Sequence, residues 1–423
     1  MSSSPTPACP TRSPPRAERW PRGAAALLLA ALVGGAVAHG LEDHEADDTA
    51  PGVQLEGALA LSAAHASQPW PAARLPGLFS NGDTPADRRG GALEHGTLAL
   101  GLRADAQWSA RLGYGWHDSD PAHVEDAWLQ WQRPLGEGRL QLRGGRQAVP
   151  TGRVVAGGGH FDRFGAMPLA KRVVLGGDWI DDGLDLRWQR GEDDRWPWLQ
   201  SLGVGVWRGR AYPGGAGMPW APALQARVGA GGWQAQLLAM RLQPSRRGAY
   251  IQNALSGHTH ARPDCERSLV GITCFDGRSD VLTLGLRWDT PWTGWTLQAA
   301  GLWRRDVGAL WSASGDAHYR GNTGGGWLDV IWQPSDRWQL ALRGEGVRGV
   351  QRVRGSGALA VATDAGLLGN QRVQRLAASA GYLLRDDLRA SVEAGVDRIG
   401  SERESFAALR LVWTPGALWR RDW

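Results

Sequence analysis

The feature that most constrains this chain is a period-two pattern broken by connections of alternating length. Residues 280–289 read D-V-L-T-L-G-L-R-W-D. Leu282, Leu284, Leu286 and Trp288 fall on one face, and Thr283, Gly285 and Arg287 on the other, which is a strand signal. Sixteen such segments begin near Val53, Thr97, Trp108, Val124, Arg139, Gly183, Leu202, Ala223, Trp233, Val281, Trp295, Trp327, Trp338, Leu376, Leu388 and Ser405. Seven short turns, such as 104–107 and 289–294, separate eight mostly longer connections, among them 150–182, 243–279, 304–325 and 347–370. Both chain ends then lie on the short-turn side.

The alternation suits lipid on one face and a polar lumen on the other. In lipid every backbone N–H and C=O must be paired, so strands span only as a closed barrel. The expected fold is all-β: a transmembrane antiparallel β-barrel of about 16 strands (range roughly 14–18). Many of the 24 tryptophans sit at segment ends, as Trp131, Trp188, Trp288, Trp295, Trp332 and Trp413 do. Such placement matches an interfacial girdle. A soluble propeller would repeat near every 40 residues, and the spacing here is uneven. With 60 glycines in 423 residues, a helical bundle is excluded, since each interior Gly costs about 1 kcal/mol.

The first 38 residues read as an address. Arg12, Arg16, Arg19 and Arg22 precede an apolar run, 24–38, that ends in Ala36-Val37-Ala38, the layout of a secretory signal peptide. The expected organisation is a signal peptide at 1–38, a periplasmic acidic and His-bearing segment at 39–52, and an outer-membrane barrel at 53–423. Losing the leader removes four Arg and one Glu, so the formal charge of +5 falls to +2. Cys265 and Cys274 remain, and in an exported chain that spacing suggests a disulfide. His39 and His44, among Glu42, Glu45, Asp47 and Asp48, are weak candidates for a divalent metal. His258 and His260 are weaker ones. A solvated leader segment explains the first group equally well.

From Gly144 the sequence runs G-G-R-Q-A-V-P-T-G-R, then H-F-D-R-F-G, then G-D-W-I-D-D-G-L-D-L-R-W. This stretch resembles the strand, third loop and next strand of the phosphate-selective-type porins of Gram-negative bacteria. The motif resemblance covers 144–188, and the architecture covers the chain beyond the leader. It implies a third loop folded into the barrel as a constriction, here residues 150–182, carrying Arg153, His160, Asp162, Arg163, Lys171, Arg172, Asp178, Asp181 and Asp182. It also implies a homotrimer. Two departures stand out. The last clear strand ends at Trp413, leaving 414–423 as a shifted last strand or an extension. Lys171 is the only lysine, so phosphate specificity does not carry over.

Strand parity places Arg103, Arg111, Arg139, Arg143, Arg187, Arg287, Arg343, Arg375, Arg389 and Arg410 on the lumen side, with Asp185, Glu345, Glu393 and Asp397. An arginine facing mid-bilayer lipid costs about 2–4 kcal/mol. These residues either bias a pore toward anions or pair with acids and stiffen its wall. No nucleophile elbow, metalloprotease motif or phosphate loop is present, and the arginines alternate with apolar residues instead of clustering for nucleic acid. The expected function is a non-enzymatic outer-membrane porin, without cofactor, passing small hydrophilic solutes or ions, with lipid as its surroundings. The alternative is a non-conducting barrel whose external loops bind a ligand, metal or partner.

Overall fold

The computed structural model describes residues 50–67, 75–78, 90–117, 120–190, 198–209, 219–250, 265, 269–368 and 372–423. The leader, His39, His44, His258 and His260 lie outside these residues. The strands are β1 (Gly52–Ala66), β2 (Gly90–Arg103), β3 (Trp108–His117), β4 (Asp120–Leu135), β5 (Gly138–Ala148), β6 (Ile180–Arg190), β7 (Leu199–Trp207), β8 (Ala221–Ala230), β9 (Trp233–Leu242), β10 (Arg247–Tyr250), β11 (Ile272–Asp289), β12 (Trp295–Ser312), β13 (Gly315–Trp332), β14 (Trp338–Arg354), β15 (Arg372–Arg385), β16 (Leu388–Ile399) and β17 (Glu402–Asp422). Three short helices, α1 (Arg153–Ala156), α2 (Leu169–Leu175) and α3 (Ala358–Asp364), lie in the connections. None of the described helices is long and apolar enough to cross a membrane.

Apart from β9, which pairs with β11, each strand pairs antiparallel with the next, and β17 returns to β1. The short β10 continues the edge of β9: Leu242 opposes Ser279 and Arg247 opposes Phe275, both on β11. The ring is therefore a closed barrel of 16 strands. Each expected segment corresponds to one of them.

Outward positions carry the apolar band. Leu98, Leu100 and Leu102 on β2, Leu282, Leu284 and Leu286 on β11, and Leu376, Val392 and Leu409 are all exposed on the outer face. A contiguous apolar surface of this extent needs an apolar environment. Exposed Trp108, Trp198, Trp233, Trp288, Trp292, Trp295, Trp332, Trp338, Trp419 and Trp423 cluster at the short-turn rim. There Trp295 and Trp332 stack at 5.6 Å, and Trp338 meets Tyr382 at 4.9 Å.

Two sequence expectations change. The connection expected at 304–325 is absent: β12 and β13 pair continuously from Trp295↔Trp332 to Ser312↔Gly315. The first half of β13, with Gly321, Gly324, Gly325 and Gly326, lacks apolar alternation yet is strand. An 18-residue strand reaches about 60 Å along its axis, well beyond an apolar band about 25 Å tall. Residues above that band need no lipid face, so they carry no alternation to read. The same holds at 347–354, which extends β14 before α3. At the other end, residues 414–423 are no loose extension. β17 runs to Asp422 opposite Gly52, and Trp423 donates its N–H to the Pro51 carbonyl at 3.2 Å. Register shifts between Leu55 and Glu56 and between Gly57 and Leu59 pass over Leu418 and then Thr414 and Pro415; between them Gly416, at φ 71°, stays opposite Gly57.

Cys265 and Cys274 are joined, tying the segment before β11 to that strand. Peptides carrying these cysteines are expected to resist alkylation under denaturing, non-reducing conditions. Labelling of both would remove the bridge.

On the long-loop side, α3 packs Val361, Ala362 and Leu367 against Phe275, Leu310 and Tyr319, with Leu78 from the first long connection. The largest apolar cluster lies inside the barrel, where the β5–β6 connection meets the wall.

Candidate functional site: the third loop inside the barrel

The connection from β5 to β6, residues 149–179, is the third on the long-loop side. It begins after Ala148 because Pro150 removes a ladder donor and Gly152 adopts φ 95°. It then presents two faces. Its apolar face, with Val154, Val155, Leu169, Val173, Val174 and Leu175, packs against inward side chains of the wall, including Leu238, Leu302, Trp327 and Val347. Leu302 and Trp327 thus point inward, against the simple rule that every Leu and Trp faces lipid.

The polar face of the wall grips the loop backbone. Arg410 on β17 donates to the carbonyls of His160 (2.5 Å) and Asp162 (2.9 Å) and pairs with Glu94 at 2.6 Å. Arg389 on β16 donates to the carbonyls of Phe161 (2.9 Å) and Asp162 (2.7 Å). Ser379 on β15 donates to the Arg163 carbonyl at 2.8 Å. Glu393 accepts from the Gly165 N–H at 2.7 Å, and Glu345 from that of Leu169 at 2.5 Å. Arg375 donates to the Met167 carbonyl at 3.3 Å and binds Asp397 through two nitrogens at 2.6 and 3.2 Å. A Cβ on Gly165 would sit 2.4 Å from Arg410 Nε, so only glycine lets the chain pass there.

The clasp centres on Asp162. Arg343 holds Asp329 through two bonds of 2.7 Å and reaches Asp162 at 2.8 Å, with its guanidinium 4.3 Å over the Phe164 ring. Arg163 joins the pair, 3.3 Å from Asp162 and 3.5 Å from Asp329. Burial opposes the Asp162 carboxylate, but Arg163 and Arg343 outweigh it and hold its pKa below the ordinary value. Arg304, one residue outside the expected lumen set, is fully buried. It pairs with Asp306 and donates to the carbonyls of Val173, Val174 and Leu78.

The other expected loop residues do different work. Lys171 is almost fully buried and clips the loop to itself, donating to the carbonyls of Ala156 (2.8 Å) and Gly158 (3.0 Å) and to Asp178. A compact ammonium with three donors fits that role better than a guanidinium fork. Arg153 is exposed at the start of α1, and Arg172 is buried in α2. Asp181 and Asp182 lie on β6 and not in the loop, because the β5–β6 ladder continues to Ala148↔Ile180.

Beside the loop a cavity of about 1060 Å³ remains, bordered by the β1–β8 wall and also by clasp residues Asp162, Arg163, Arg343 and Arg389. Arg103, Arg111, Arg139, Arg143, Arg187 and Arg287 line it. Arg111 pairs with Glu56 and Asp126, Arg187 with Asp185, and Arg287 with Asp289. Arg143 donates to Gln130 at 2.7 Å and lies 4.4 Å from the Trp128 ring, and Arg139 donates to Gln132 at 3.5 Å. Of the ten expected arginines, Arg343, Arg375, Arg389 and Arg410 engage the loop, and Arg343 and Arg389 also border the cavity with the other six.

Alternation does not place two acids. Glu94 is skipped in the register between Ala60↔His95 and Leu61↔Leu93, and Glu125 between Gly113↔Asp126 and Tyr114↔Val124. Each is a bulge residue whose side chain is re-aimed: Glu94 toward Arg410, and Glu125 toward His95 at 3.2 Å. His95, His117 and His123 stand beside them; His95 and His117 meet His160 of the loop, and His123 stacks on His117. Sequence reading passed over this group. The signal was the close spacing of His117, His123 and Glu125 after His95. Burial, with some repulsion from the neighbouring rings and Arg410, pushes the half-enclosed His160 imidazole down to about 3, so it is neutral at ordinary pH.

No family model and no curated protein matches the sequence. Solved structures match the fold. A loop-deletion mutant of OmpT, an outer membrane protein of Vibrio cholerae, aligns with a TM-score of 0.54 at 9% identity, covering 86% of this chain and 98% of that one. The outer membrane channel DcaP of Acinetobacter baumannii gives 0.52 at 9% identity, covering 86% and 96%. An anion-selective porin from Comamonas acidovorans gives 0.51 at 11% identity, covering 86% and 99%. At such low identity the likeness is one of architecture: the chain has the porin-type fold, a closed antiparallel barrel of 16 strands.

Proposed function

We propose that this chain is an outer-membrane porin through which small hydrophilic solutes and ions diffuse passively. The observation that carries the reading is the cavity of about 1060 Å³ beside the third loop, bordered by eight of the ten lumen arginines. In this reading the loop is the constriction, clasped to one side of the lumen so that a path remains along the other. The arginines raise local anion concentration. The preference is mild, because carboxylates accompany Arg111, Arg187 and Arg287 and the leader-free chain carries only +2. The anion-selective porin with the same fold supports the sign. The leader at 1–38 exports the chain, and the short turns, both ends and the acidic segment face the periplasm. A homotrimer is proposed on the likeness to the trimer form of OmpT of Vibrio cholerae. No enzymatic activity is proposed.

Purified protein added to a planar bilayer is expected to give stepwise conductance. A KCl gradient is expected to give a reversal potential of anion-selective sign. Absence of steps at high protein concentration would favour the alternative, a non-conducting barrel with binding loops. A cation-selective potential would remove the charge preference alone.

A further inference from the structure

Four imidazoles meet where the third loop crosses the β2–β4 wall. They are His95 of β2, His117 at the end of β3, His123 of β4 and His160 of the loop. The ligand atoms of His95, His117 and His160 all lie within 4.8 Å of one another, as do those of His117, His123 and Glu125. His160 stacks on His95 at 5.2 Å and approaches His117 at 5.0 Å.

We propose that His95, His117 and His160 bind a divalent transition-metal ion of the zinc class, with His123 and Glu125 as an adjoining pair on the far side of His117.

The spacing of the nitrogens carries the argument. His117 Nδ1 lies 2.6 Å from the Glu94 carbonyl oxygen, which can only accept, so Nδ1 carries a proton. His95 Nε2 lies 3.2 Å from the Glu125 carboxylate and 2.8 Å from Thr97 Oγ1. His95 Nδ1 and His117 Nε2 lie 3.2 Å apart. Two ligands about 2.0–2.1 Å from one tetrahedral ion stand about 3.3–3.4 Å apart, which the observed separation matches. Glu94, Glu125 and Thr97 supply the outer contacts that fix the tautomer and ring orientation of metal-bound histidines. The bulges at Glu94 and Glu125 are what bring those contacts to the inner face. A neutral imidazole set with carboxylates outside it suits zinc, copper or nickel, and not magnesium or calcium. The cavity borders His95, Glu125 and His160, leaving a coordination position open to solute. An ion held there ties the loop to β2 and β3, beside Arg410 of the arginine clasp.

The test is calorimetric titration of ZnCl2 into the full-length protein folded in detergent, in metal-free buffer at neutral pH. One zinc per chain is expected, with affinity falling at least about tenfold in His117→Ala and in His160→Ala. A His39→Ala/His44→Ala variant is expected to bind as the parent does. Heat-modifiable gel mobility reports the fold of each variant. His160 lies in the loop, so His160→Ala carries the test if His117→Ala does not fold. Co2+ in place of zinc is expected to give the intense visible absorption of a tetrahedral site, lost in the same variants. The proposal is overturned if the parent takes up no zinc, if both cluster variants bind unchanged, or if only the His39/His44 variant loses binding. Metal binding does not rest on conduction, so this experiment and the bilayer experiment fail independently.

Discussion

Arg343→Ala is expected to lower the stability of the folded barrel by about 3–5 kcal/mol, the usual cost of removing one partner from a buried ion pair, and to raise single-channel conductance. Arg343 is about 1% exposed, and so are its bonds to Asp329. Truncation leaves Asp329 and Asp162 with only the longer contacts of Arg163. It also removes the guanidinium over the Phe164 ring. The loop is then free to leave the wall, which widens the lumen. Urea-dependent unfolding in lipid vesicles gives the first quantity and bilayer recording the second. The double variant Arg343→Ala/Asp329→Ala is expected to recover part of the loss, because it removes an uncompensated carboxylate along with its partner. A single variant within about 0.5 kcal/mol of the parent would mean that the pair contributes no net stability.

Leu284→Arg is expected to cost about 2–4 kcal/mol, the range for a guanidinium at the bilayer midplane of a barrel. Leu284 points outward from β11, four residues from the rim residue Trp288, a distance of about 13 Å along the strand. Ser201→Arg is the control. Ser201 borders the cavity, and its replacement is expected to change stability by no more than about 0.5 kcal/mol. The same unfolding measurement compares the two. Equal costs would mean that the Leu282, Leu284 and Leu286 face does not meet lipid.

The strands were legible because lipid imposes a rule at every second residue. Leu282, Leu284 and Leu286 could be read one by one, and so could the inward turn of Arg287. Where the rule lapses, reading lapses with it. The upper half of β13 carries no lipid face, so its glycines read as a loop. Leu302 and Trp327 face inward because the third loop gives them an apolar partner inside the barrel, which local sequence cannot announce. The clasp was hidden for a related reason. Arg410, Arg389 and Glu393 meet residues 160–165 across more than 200 positions of chain, and their partners are mostly backbone carbonyls and N–H groups, which have no sequence signature. Glu94 and Glu125 could not be placed by alternation, because a bulge interrupts it at each. The histidine group depends on both effects, a bulge on each strand and a contact from a distant loop.

The seam between β1 and β17 bears on the order of assembly. Every other strand pairs with a neighbour in the chain, a local event that closes only a turn or a loop. The β1–β17 ladder joins the two extremities, so its loop-closure entropy is the largest of any pairing and its formation comes last. Until then both edge strands expose unpaired backbone, a liability in water and worse in lipid. The register of the seam is also irregular, with two shifts on either side of Gly416. A chain that ended at Trp413 would complete the hairpins and leave the lower part of the ring open at Gly52. The last ten residues thus act as a latch on a cylinder that is otherwise already rolled.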